Sequence, residues 1–385
     1  MDNPIARPKV RLMRSVVGSD EVAALERIIQ DGYLAMGAEV LAFERELEEF
    51  LGGERKVVCV NTCTAALHLA LEACNIGPGD EVLVPSLTYV ATFQAISASG
   101  ATPVACEVDP LTAFIDVQDA ASRITSRTRA IMPVHLYGLT GDLDGIYDLA
   151  EAHGLRVIED AAQSFGCRYD QKLIGARGDI VCFSFDGVKQ VTSGEGGALV
   201  TADAEVTARV MDARLLAVQR DSEKRYANQR SWDFDVVDQG YRFHMSNLMA
   251  AIGRVQLRRF QQEFRARRIE IAKNYDRMLA DTPGIRTMQI DYESVVPFSY
   301  ATFIGNGQRD IVRAALQEEG IETGVQYKPN HLLTKYGAGA VSLPITEALY
   351  EEQLSLPMHP LLTIEEQERT VRVINEALAI SIVSV

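Results

Sequence analysis

The sequence lacks the features of a membrane or secreted protein. No apolar run approaches the roughly 18 residues that predict a membrane-spanning helix. The opening residues, MDNPIARPKV, contain no apolar signal segment. We therefore expect a soluble, cytoplasmic protein that makes no membrane contact.

Positive charge and paired cysteines are scarce as well. Lysine and arginine number 38 against 53 aspartate and glutamate residues, which gives a net charge of −15, and no basic tract occurs. Nucleic acid is therefore disfavoured as a partner, and any phosphate must be bound by a local pocket of backbone amides and a few cations. The six cysteines lie mostly in apolar runs, without the close paired spacing of a disulfide framework or a zinc site. We expect reduced thiols and no metal.

The sequence instead alternates strand-like and helix-like segments. Hydrophobic residues make up 47% of its 385 residues, which predicts a globular chain long enough for two domains. Two opening helices are predicted at residues 20–30, with Ser19 as a possible N-cap, and at residues 39–50. Up to residue 201 the order is βαβ, typical of an α/β fold. The predicted strands are residues 56–60, 81–85, 103–108, 130–134, 155–158 and 180–185.

The pattern changes past residue 201. A helix is predicted at residues 204–218, followed by a charged, irregular stretch to residue 238 that we interpret as a loop or a partner contact. We predict a large domain of residues 1–250, including the N-terminal helical segment, and a smaller α+β domain of residues 251–385. The elements predicted there are a long helix from residue 246 to about 279, strands near 298–303 and 322–327, and helices near 310–319, 347–354 and 364–380.

One stretch, residues 183–197 (FSFDGVKQVTSGEGG), carries a candidate catalytic lysine. Lys189 follows an apolar strand and precedes a cluster of glycines, which lets the backbone come close to a ligand. A lysine held among apolar and glycine residues is poorly solvated, and desolvation favours the neutral amine that can add to an aldehyde. A surface lysine in a turn is the plainer interpretation, but the apolar runs on both sides argue against it.

Polar side chains follow the ends of three other predicted strands. Residues 62–65 join a strand to a helix, where unpaired amides could hold a phosphate together with the Thr64 hydroxyl, although such residues often just cap the helix. Tyr89 follows the second strand, and Asp160 follows a later one. Because ligands of open α/β sheets bind at the carboxyl ends of the strands, we expect these residues to converge with Lys189.

Five segments together resemble one known family. NTCTAALHLAL, GPGDEVLVPSLTYVAT, VHLYG, VIEDAAQSFG and FSFDGVKQVTSGEGG, in this order and spacing, are similar to the DegT/DnrJ/EryC1/StrS family of sugar aminotransferases over nearly the whole chain. The resemblance implies fold type I of the pyridoxal-phosphate enzymes, an aspartate-aminotransferase-like fold. Its large α/β domain has a mostly parallel mixed sheet, and its small C-terminal domain is α+β. The resemblance also implies a homodimer with shared active sites that aminates nucleotide-linked keto sugars with L-glutamate and releases 2-oxoglutarate.

The resemblance also implies roles for single residues. Lys189 is similar to the Schiff-base lysine of the family and Asp160 to the partner of the pyridine nitrogen. Gln163 falls where the family contacts O3′ of the ring, and Tyr89 falls where an aromatic side chain stacks on it. Asp160 could otherwise be a helix cap, and Gln163 and Tyr89 could be ordinary packing. The phosphate-binding positions are matched by Cys63, Thr64 and Ser184, with Cys63 in place of a common glycine, so that its amide would bind and no thiol chemistry is expected.

The sequence departs from the family at residues 240–245, which read GYRFHM. Many members carry GYNYRM there, and the asparagine reaches the phosphate in the neighbouring subunit. Arg242 takes the asparagine position here. It would bind the same phosphate or a substrate diphosphate, with an ordinary surface arginine as the alternative.

The smaller domain bears on which sugar carbon receives the amine. Members that aminate C3 often carry a His-Tyr-Pro segment followed by a histidine and a glutamine, whereas residues 325–331 read VQYKPNH here. The partial match favours C4 amination of a nucleotide-linked 4-keto-6-deoxyhexose, with Tyr327, Lys328 and His331 near the substrate. C3 amination stays open. So do a dehydratase relative, which would carry histidine in place of Lys189, and a non-catalytic cofactor-binding regulator, which would normally need a DNA-binding domain and a basic surface.

Overall fold

The largest element of the fold is a seven-stranded mixed sheet. The computed structural model describes residues 9–230, 232–337 and 341–383. The strands up to residue 201 are β1 (Lys56–Val60), β2 (Glu81–Pro85), β3 (Thr102–Cys106), β4 (Thr128–Ile131), β5 (Arg156–Asp160), β6 (Arg168–Tyr169), β7 (Lys172–Leu173), β8 (Ile180–Ser184) and β9 (Gly197–Thr201). The large sheet has the order β1-β9-β8-β5-β4-β2-β3, with β9 antiparallel to both of its neighbours and the remaining pairs parallel. The expected mostly parallel mixed sheet is therefore confirmed.

Helices cover both faces of this sheet. Successive side chains of β1 point to opposite faces, so Val57 and Cys59 enter one hydrophobic core while Val58 and Val60 enter another. The helices of this part are α1 (Ser19–Asp31), α2 (Ala38–Phe50), α3 (Cys63–Ala73), α4 (Val90–Ala98), α5 (Val117–Ser122), α6 (Leu143–His153), α7 (Ala204–Ala213) and α8 (Asp221–Tyr226). Helix α2 packs in the first core and α3 in the second.

A three-stranded antiparallel sheet lies in the C-terminal part. The elements there are α9 (Asn247–Arg259), α10 (Arg265–Leu279), β10 (Ile285–Thr287), β11 (Tyr300–Ile304), α11 (Arg309–Glu318), α12 (Pro344–Glu352), β12 (Gln353–Leu356) and α13 (Ile364–Val383). A π-helical turn at Phe260–Phe264 joins α9 directly to α10, which accounts for the single long helix expected from the sequence. The sheet order is β10-β11-β12. Its core includes side chains from α10, α11 and α13.

Residues 322–327 do not form the predicted strand. A single bridge joins Gly324 to Ser355, after which the chain turns away from the sheet. There the Tyr137 hydroxyl donates to the Gln326 carbonyl at 2.7 Å, and Tyr327 enters a cavity. The third strand of the small sheet is instead β12, which begins where α12 ends, inside the segment predicted as helix.

Two helix boundaries also differ from the prediction. Helix α7 ends at Ala213 rather than at residue 218, because Leu216 and Ala217 adopt φ angles of 66° and 53°, which a right-handed helix does not allow. Helix α1 begins at Ser19 and its N-cap is Gly18, so the predicted Ser19 cap is wrong.

The predicted domain boundary between residues 250 and 251 falls within α9. The division into two domains stays a prediction.

Among the described residues, no helix combines the length and the apolarity needed to cross a membrane.

Candidate active site

A cavity of about 430 Å³ lies at the carboxyl ends of the strands. The register of the sheet explains its place, because β9 begins at Gly197, which pairs with the last residues of both β1 and β8, Val60 and Ser184. Asp160, the last residue of β5, pairs with Cys182 of β8. The cavity is lined by eight of the eleven predicted site residues: Cys63, Thr64, Tyr89, Asp160, Gln163, Ser184, Lys189 and Tyr327. The expected convergence of the strand ends on Lys189 is therefore observed.

Lys189 stands on the loop between β8 and β9, and its side chain lines the cavity. Its Nζ lies 4.3 Å from the centroid of the Phe298 ring. Removal from bulk water lowers the pKa of Lys189, and the negative charges of Asp186 and Asp160 oppose this shift. A lowered pKa enlarges the fraction of neutral amine, which is the nucleophilic form.

Asp160 supplies a buried carboxylate to the same cavity and is 6% exposed. Its Oδ2 accepts a hydrogen bond from Thr92 Oγ1 at 2.8 Å, and its Oδ1 accepts one from the Ala162 amide at 3.2 Å. Burial raises the pKa of Asp160, while the two hydrogen bonds and the charge of Lys189 oppose that rise. The carboxylate is thus held in one orientation by a donor on each oxygen.

The turn after β1 presents amides to the cavity. Thr62 caps α3, because its Oγ1 accepts from the Ala65 amide at 3.1 Å. The amides of Cys63 and Thr64 belong to the first helical turn and have no carbonyl partner within the helix, so they can bind an anion. Gly197 allows the close approach of β9, since a Cβ there would lie 2.5 Å from the Cys63 nitrogen. Burial raises the pKa of the Cys63 thiol well above its usual range, which fits the expectation of no thiol chemistry.

Tyr89 and Tyr327 form an aromatic wall, with ring centroids 5.3 Å apart. Gln163 lies behind this wall. Its Nε2 donates to the Tyr327 hydroxyl at 3.1 Å, and its Oε1 accepts from the Tyr137 amide at 2.7 Å. These two bonds fix which end of the Gln163 amide faces each tyrosine. Tyr89 is 57% exposed, so its ring is open to contact a ligand.

Three predicted site residues do not line the cavity. Arg242 and Lys328 are exposed, and Arg242 lines a separate surface depression next to Phe234. His331 is buried; its Nδ1 lies 2.7 Å from Ser86 Oγ and its Nε2 lies 3.2 Å from Glu347 Oε1. Both ring nitrogens of His331 are therefore engaged by the protein itself.

Thr92 and Phe298 belong to the site and were missed from the sequence. Thr92 lies three residues after Tyr89, in the first turn of α4, and residues three apart share a helix face. This spacing could have identified Thr92 as a site residue from the sequence. Phe298 comes from a segment more than a hundred residues after Lys189, and no local pattern indicates that its ring lies beside the lysine amine.

The chemistry of these residues fits pyridoxal phosphate. A desolvated lysine suits an aldehyde, a fixed buried carboxylate suits a protonated ring nitrogen, and an open tyrosine face suits a planar ring. The first-turn amides of α3, next to the Ser184 hydroxyl, suit a phosphate. The cavity volume also lies within the range of about 300–1,000 Å³ that small-molecule sites occupy.

Comparison with known proteins agrees with this assignment. Residues 16–375 match the DegT/DnrJ/EryC1/StrS aminotransferase family. GDP-perosamine synthase of Caulobacter vibrioides is 37% identical over 369 residues, which cover 94% of this chain and 96% of that protein. The dTDP-4-dehydro-2,3,6-trideoxy-D-glucose 4-aminotransferase of Saccharopolyspora spinosa is 34% identical over 367 residues, which cover 94% of each. The solved structure of S. venezuelae DesV in complex with a ketimine intermediate has a TM-score of 0.86 at 33% identity, covering 96% of this chain and 98% of that one.

The family match, the relatives and the solved structure all extend over nearly the whole chain. The architecture is fold type I of the pyridoxal-phosphate enzymes, as expected, and the cofactor is pyridoxal phosphate. The chain belongs to the DegT/DnrJ/EryC1/StrS family of pyridoxal-phosphate-dependent sugar aminotransferases.

Proposed function

We propose that this enzyme transfers the amino group of L-glutamate to C4 of a nucleotide-linked 4-keto-6-deoxyhexose in deoxyamino-sugar biosynthesis. The observation that carries the proposal is Lys189, an amine with a lowered pKa that shares one cavity with the buried carboxylate of Asp160. The names of two relatives support the finer points. One is a 4-aminotransferase of a dTDP-linked 4-dehydro sugar, and the other is GDP-perosamine synthase.

Lys189 is the residue to which we assign both covalent and proton-transfer work. Bound pyridoxal phosphate supplies an aldehyde that takes up the amino group and a ring that stores the electron pair left by proton loss. The neutral Lys189 Nζ would be the amine that pairs with this aldehyde and that the amine of glutamate would replace. The same Nζ would act as the base that takes the proton from Cα of glutamate, and it would move a proton in the opposite direction with the keto sugar.

The remaining cavity residues hold the reactants. Asp160 would keep a proton on the ring nitrogen, Tyr89 would stack on the ring and Gln163 would contact O3′. We assign the phosphate to the amides of Cys63 and Thr64 and to the Ser184 hydroxyl. The substrate end is assigned to Tyr327 and the neighbouring Lys328, while His331, held between Ser86 and Glu347, fixes the segment that carries them.

We propose further that two copies of the chain share their active sites. Among the described residues that line the cavity, Lys189 is the single lysine or arginine, although a cofactor phosphate and a substrate diphosphate both need cationic or amide donors. Arg242 is exposed and outside the cavity of its own chain. It is therefore free to reach the phosphate in the partner subunit.

Co-expression of two variants, each of which lacks one of these residues, tests this sharing. A dimer that combines Lys189→Ala with Arg242→Ala contains one site with both residues intact if Arg242 acts across the interface. We expect activity in the mixed dimer well above that of either variant alone, and weakened cofactor binding in Arg242→Ala by itself. Equal inactivity of the mixture, or full cofactor affinity in Arg242→Ala, contradicts the proposed role.

Product analysis tests the reaction itself. The purified enzyme should be yellow, bleach on addition of L-glutamate, and aminate one of the dTDP-, UDP- or GDP-linked 4-keto-6-deoxyhexoses. NMR of the product should place the new amine on C4. An amine on C3 contradicts the regiochemistry, and turnover of the sugar without amine transfer contradicts the aminotransferase assignment.

A further inference from the structure

A buried chain of two hydroxyl groups ends on the carboxylate of Asp160. Thr92 Oγ1 lies 2.8 Å from Asp160 Oδ2, and Thr88 Oγ1 lies 3.0 Å from Thr92 Oγ1. Thr92 is 0% exposed and Thr88 is 1% exposed. A residue of the C-terminal part holds the backbone of Thr88 in place, because Asn330 Nδ2 donates to the Thr88 carbonyl at 2.8 Å.

The direction of the two hydrogen bonds between Thr88, Thr92 and Asp160 follows from counting the protons available. The Thr92 hydroxyl has one proton and two acceptors in reach, Asp160 Oδ2 at 2.8 Å and the Tyr89 carbonyl at 3.1 Å. An ionised carboxylate is the stronger acceptor, so Thr92 donates to Asp160 and Thr88 donates to Thr92. A protonated Asp160 Oδ2 would instead donate to Thr92 and turn the Thr92 proton toward the Tyr89 carbonyl or Thr88 Oγ1. The two hydroxyl groups are therefore placed so that they can donate in series to an ionised Asp160.

The Thr92 hydroxyl also opposes the effect of burial on the pKa of Asp160. Burial raises the pKa of Asp160, and the Thr92 hydrogen bond is the largest influence in the opposite direction, ahead of the Ala162 amide. The other titratable groups that face this carboxylate from neighbouring elements are Lys189, His135, Cys63, Cys182 and Tyr327.

We propose that Thr92 is a positioning residue for the reaction: its hydroxyl holds Asp160 ionised and oriented so that the carboxylate can keep a proton on the ring nitrogen of the cofactor. The inference rests on the proposed function of Asp160. It adds a residue that does not act on the substrate but acts through the carboxylate. The effect of Thr92 should therefore appear in cofactor binding and in the spectrum of the bound cofactor, and not in turnover alone.

Three variants separate this role from general stability. Thr92→Val removes the hydroxyl at nearly constant volume, and Thr92→Ser restores it. Thr302→Val is the matched control, because Thr302 is 0% exposed and donates to the Leu354 carbonyl at 2.8 Å in the small sheet, away from the cavity. For each apoprotein we would measure the dissociation constant of pyridoxal phosphate. For each holoenzyme we would measure the pH midpoint of the visible absorbance change of the cofactor.

We expect Thr92→Val to bind the cofactor about tenfold more weakly or worse, the cost of a hydrogen bond to a charged group. The pH midpoint should rise, because a ring that loses its positive charge no longer disfavours a second positive charge beside it. Thr92→Ser should recover both properties, and Thr302→Val should leave both unchanged. Wild-type affinity and midpoint in Thr92→Val, no recovery in Thr92→Ser, or an equal change in Thr302→Val would each overturn the role of Thr92. A wild-type protein that fails to bind pyridoxal phosphate would instead overturn the proposed function, and this inference with it.

Discussion

Two positively charged side chains that are removed from bulk water have opposite surroundings. Arg214, at the end of α7, is 0% exposed and donates to Glu44 Oε1 at 2.7 Å and to the Tyr226 hydroxyl at 2.6 Å. Burial alone would lower the pKa of Arg214, but the charge of Glu44 and the bonds to its partners raise it. Lys189 faces an open cavity, and there burial prevails over Asp186 and Asp160 and lowers the pKa of the amine.

The difference distinguishes a positive charge that holds elements of the fold together from one that is available for a reaction. The Arg214 guanidinium also donates to the Cys59 carbonyl at 2.6 Å, so that it ties β1 and α2 to the end of α7. Its charge is neutralised by a partner in hydrogen-bond contact. Among the described residues, no carboxylate lies in hydrogen-bond contact with the Lys189 amine, so its charged form is less stabilised and the neutral, nucleophilic form is favoured. Burial also lowers the pKa of Arg268, but of these cations it is Lys189 that lines the cavity.

Removal of the unpaired amine should have the largest functional effect and little structural effect. We expect Lys189→Ala to lower transamination by at least about 10²- to 10⁴-fold, the contribution of general acid–base catalysis, and further through loss of the covalent step. The variant should unfold at a denaturant concentration no lower than the wild type, because a desolvated cation is lost. It should still bind the cofactor through Thr64, Ser184 and Asp160. Lys172→Ala, an exposed lysine outside the cavity, is the control and should stay fully active.

Removal of the paired cation should destabilise the fold. Arg214→Met leaves Glu44 buried without its cation, and breaking a buried pair in this way costs about 3–5 kcal/mol. Urea unfolding of the variant should show this loss. Lys56→Met is the matched control: Lys56 pairs with Glu48 at 3.3 Å but its side chain is 69% exposed, so the cost should be about 0–1 kcal/mol. Equal losses in the two variants would remove the distinction between the pairs.

A smaller, pH-dependent effect on the free energy of unfolding is expected from His244, which lies close to Arg214. Burial, followed by the positive charges of Arg242, Arg225 and Arg214, lowers the pKa of His244 to about 4. An unfolded histidine titrates near about 6.5, so between these values the unfolded state binds more protons than the folded state. The contribution of His244 to stability is therefore lost as the pH falls through this window.

The His244→Gln variant checks this sign. The free energy of unfolding of the wild type should fall between about pH 6.5 and pH 4, and the variant should show a shallower fall over the same range. The difference between the two proteins isolates His244 from other groups that titrate there. An equally steep fall in both would show that His244 titrates alike in the folded and unfolded states.

The sequence identified those parts of the site that depend on local order along the chain. Strands separated by helices bring their carboxyl ends to one edge, which predicts that Asp160, Tyr89 and the turn at residues 62–65 lie together with Lys189. Thr92 was within reach of the same reasoning, since it lies one helical turn after Tyr89.

Other features depend on contacts between distant segments and could not be predicted. The side chain of His331 is turned away from the cavity by Ser86, which lies 245 residues earlier in the chain. The strand expected at residues 322–327 is replaced by an irregular path because Tyr137 and the cavity engage this segment, so that tertiary contacts override an apolar pattern. The reach of Arg242 into a second subunit depends on how two copies assemble, and the sequence pattern of one chain does not encode that arrangement.

Reduction of the enzyme with borohydride tests the central claim most directly. The claim is that Lys189, whose side chain lines the cavity, is the amine that bonds covalently to the cofactor. Borohydride fixes the cofactor on the amine to which it is joined, and a proteolytic digest then identifies the labelled peptide. We expect the label on Lys189 in the wild type and no labelled lysine in Lys189→Ala. Label on any other lysine of the wild type, or a fully active Lys189→Ala variant, would contradict the account.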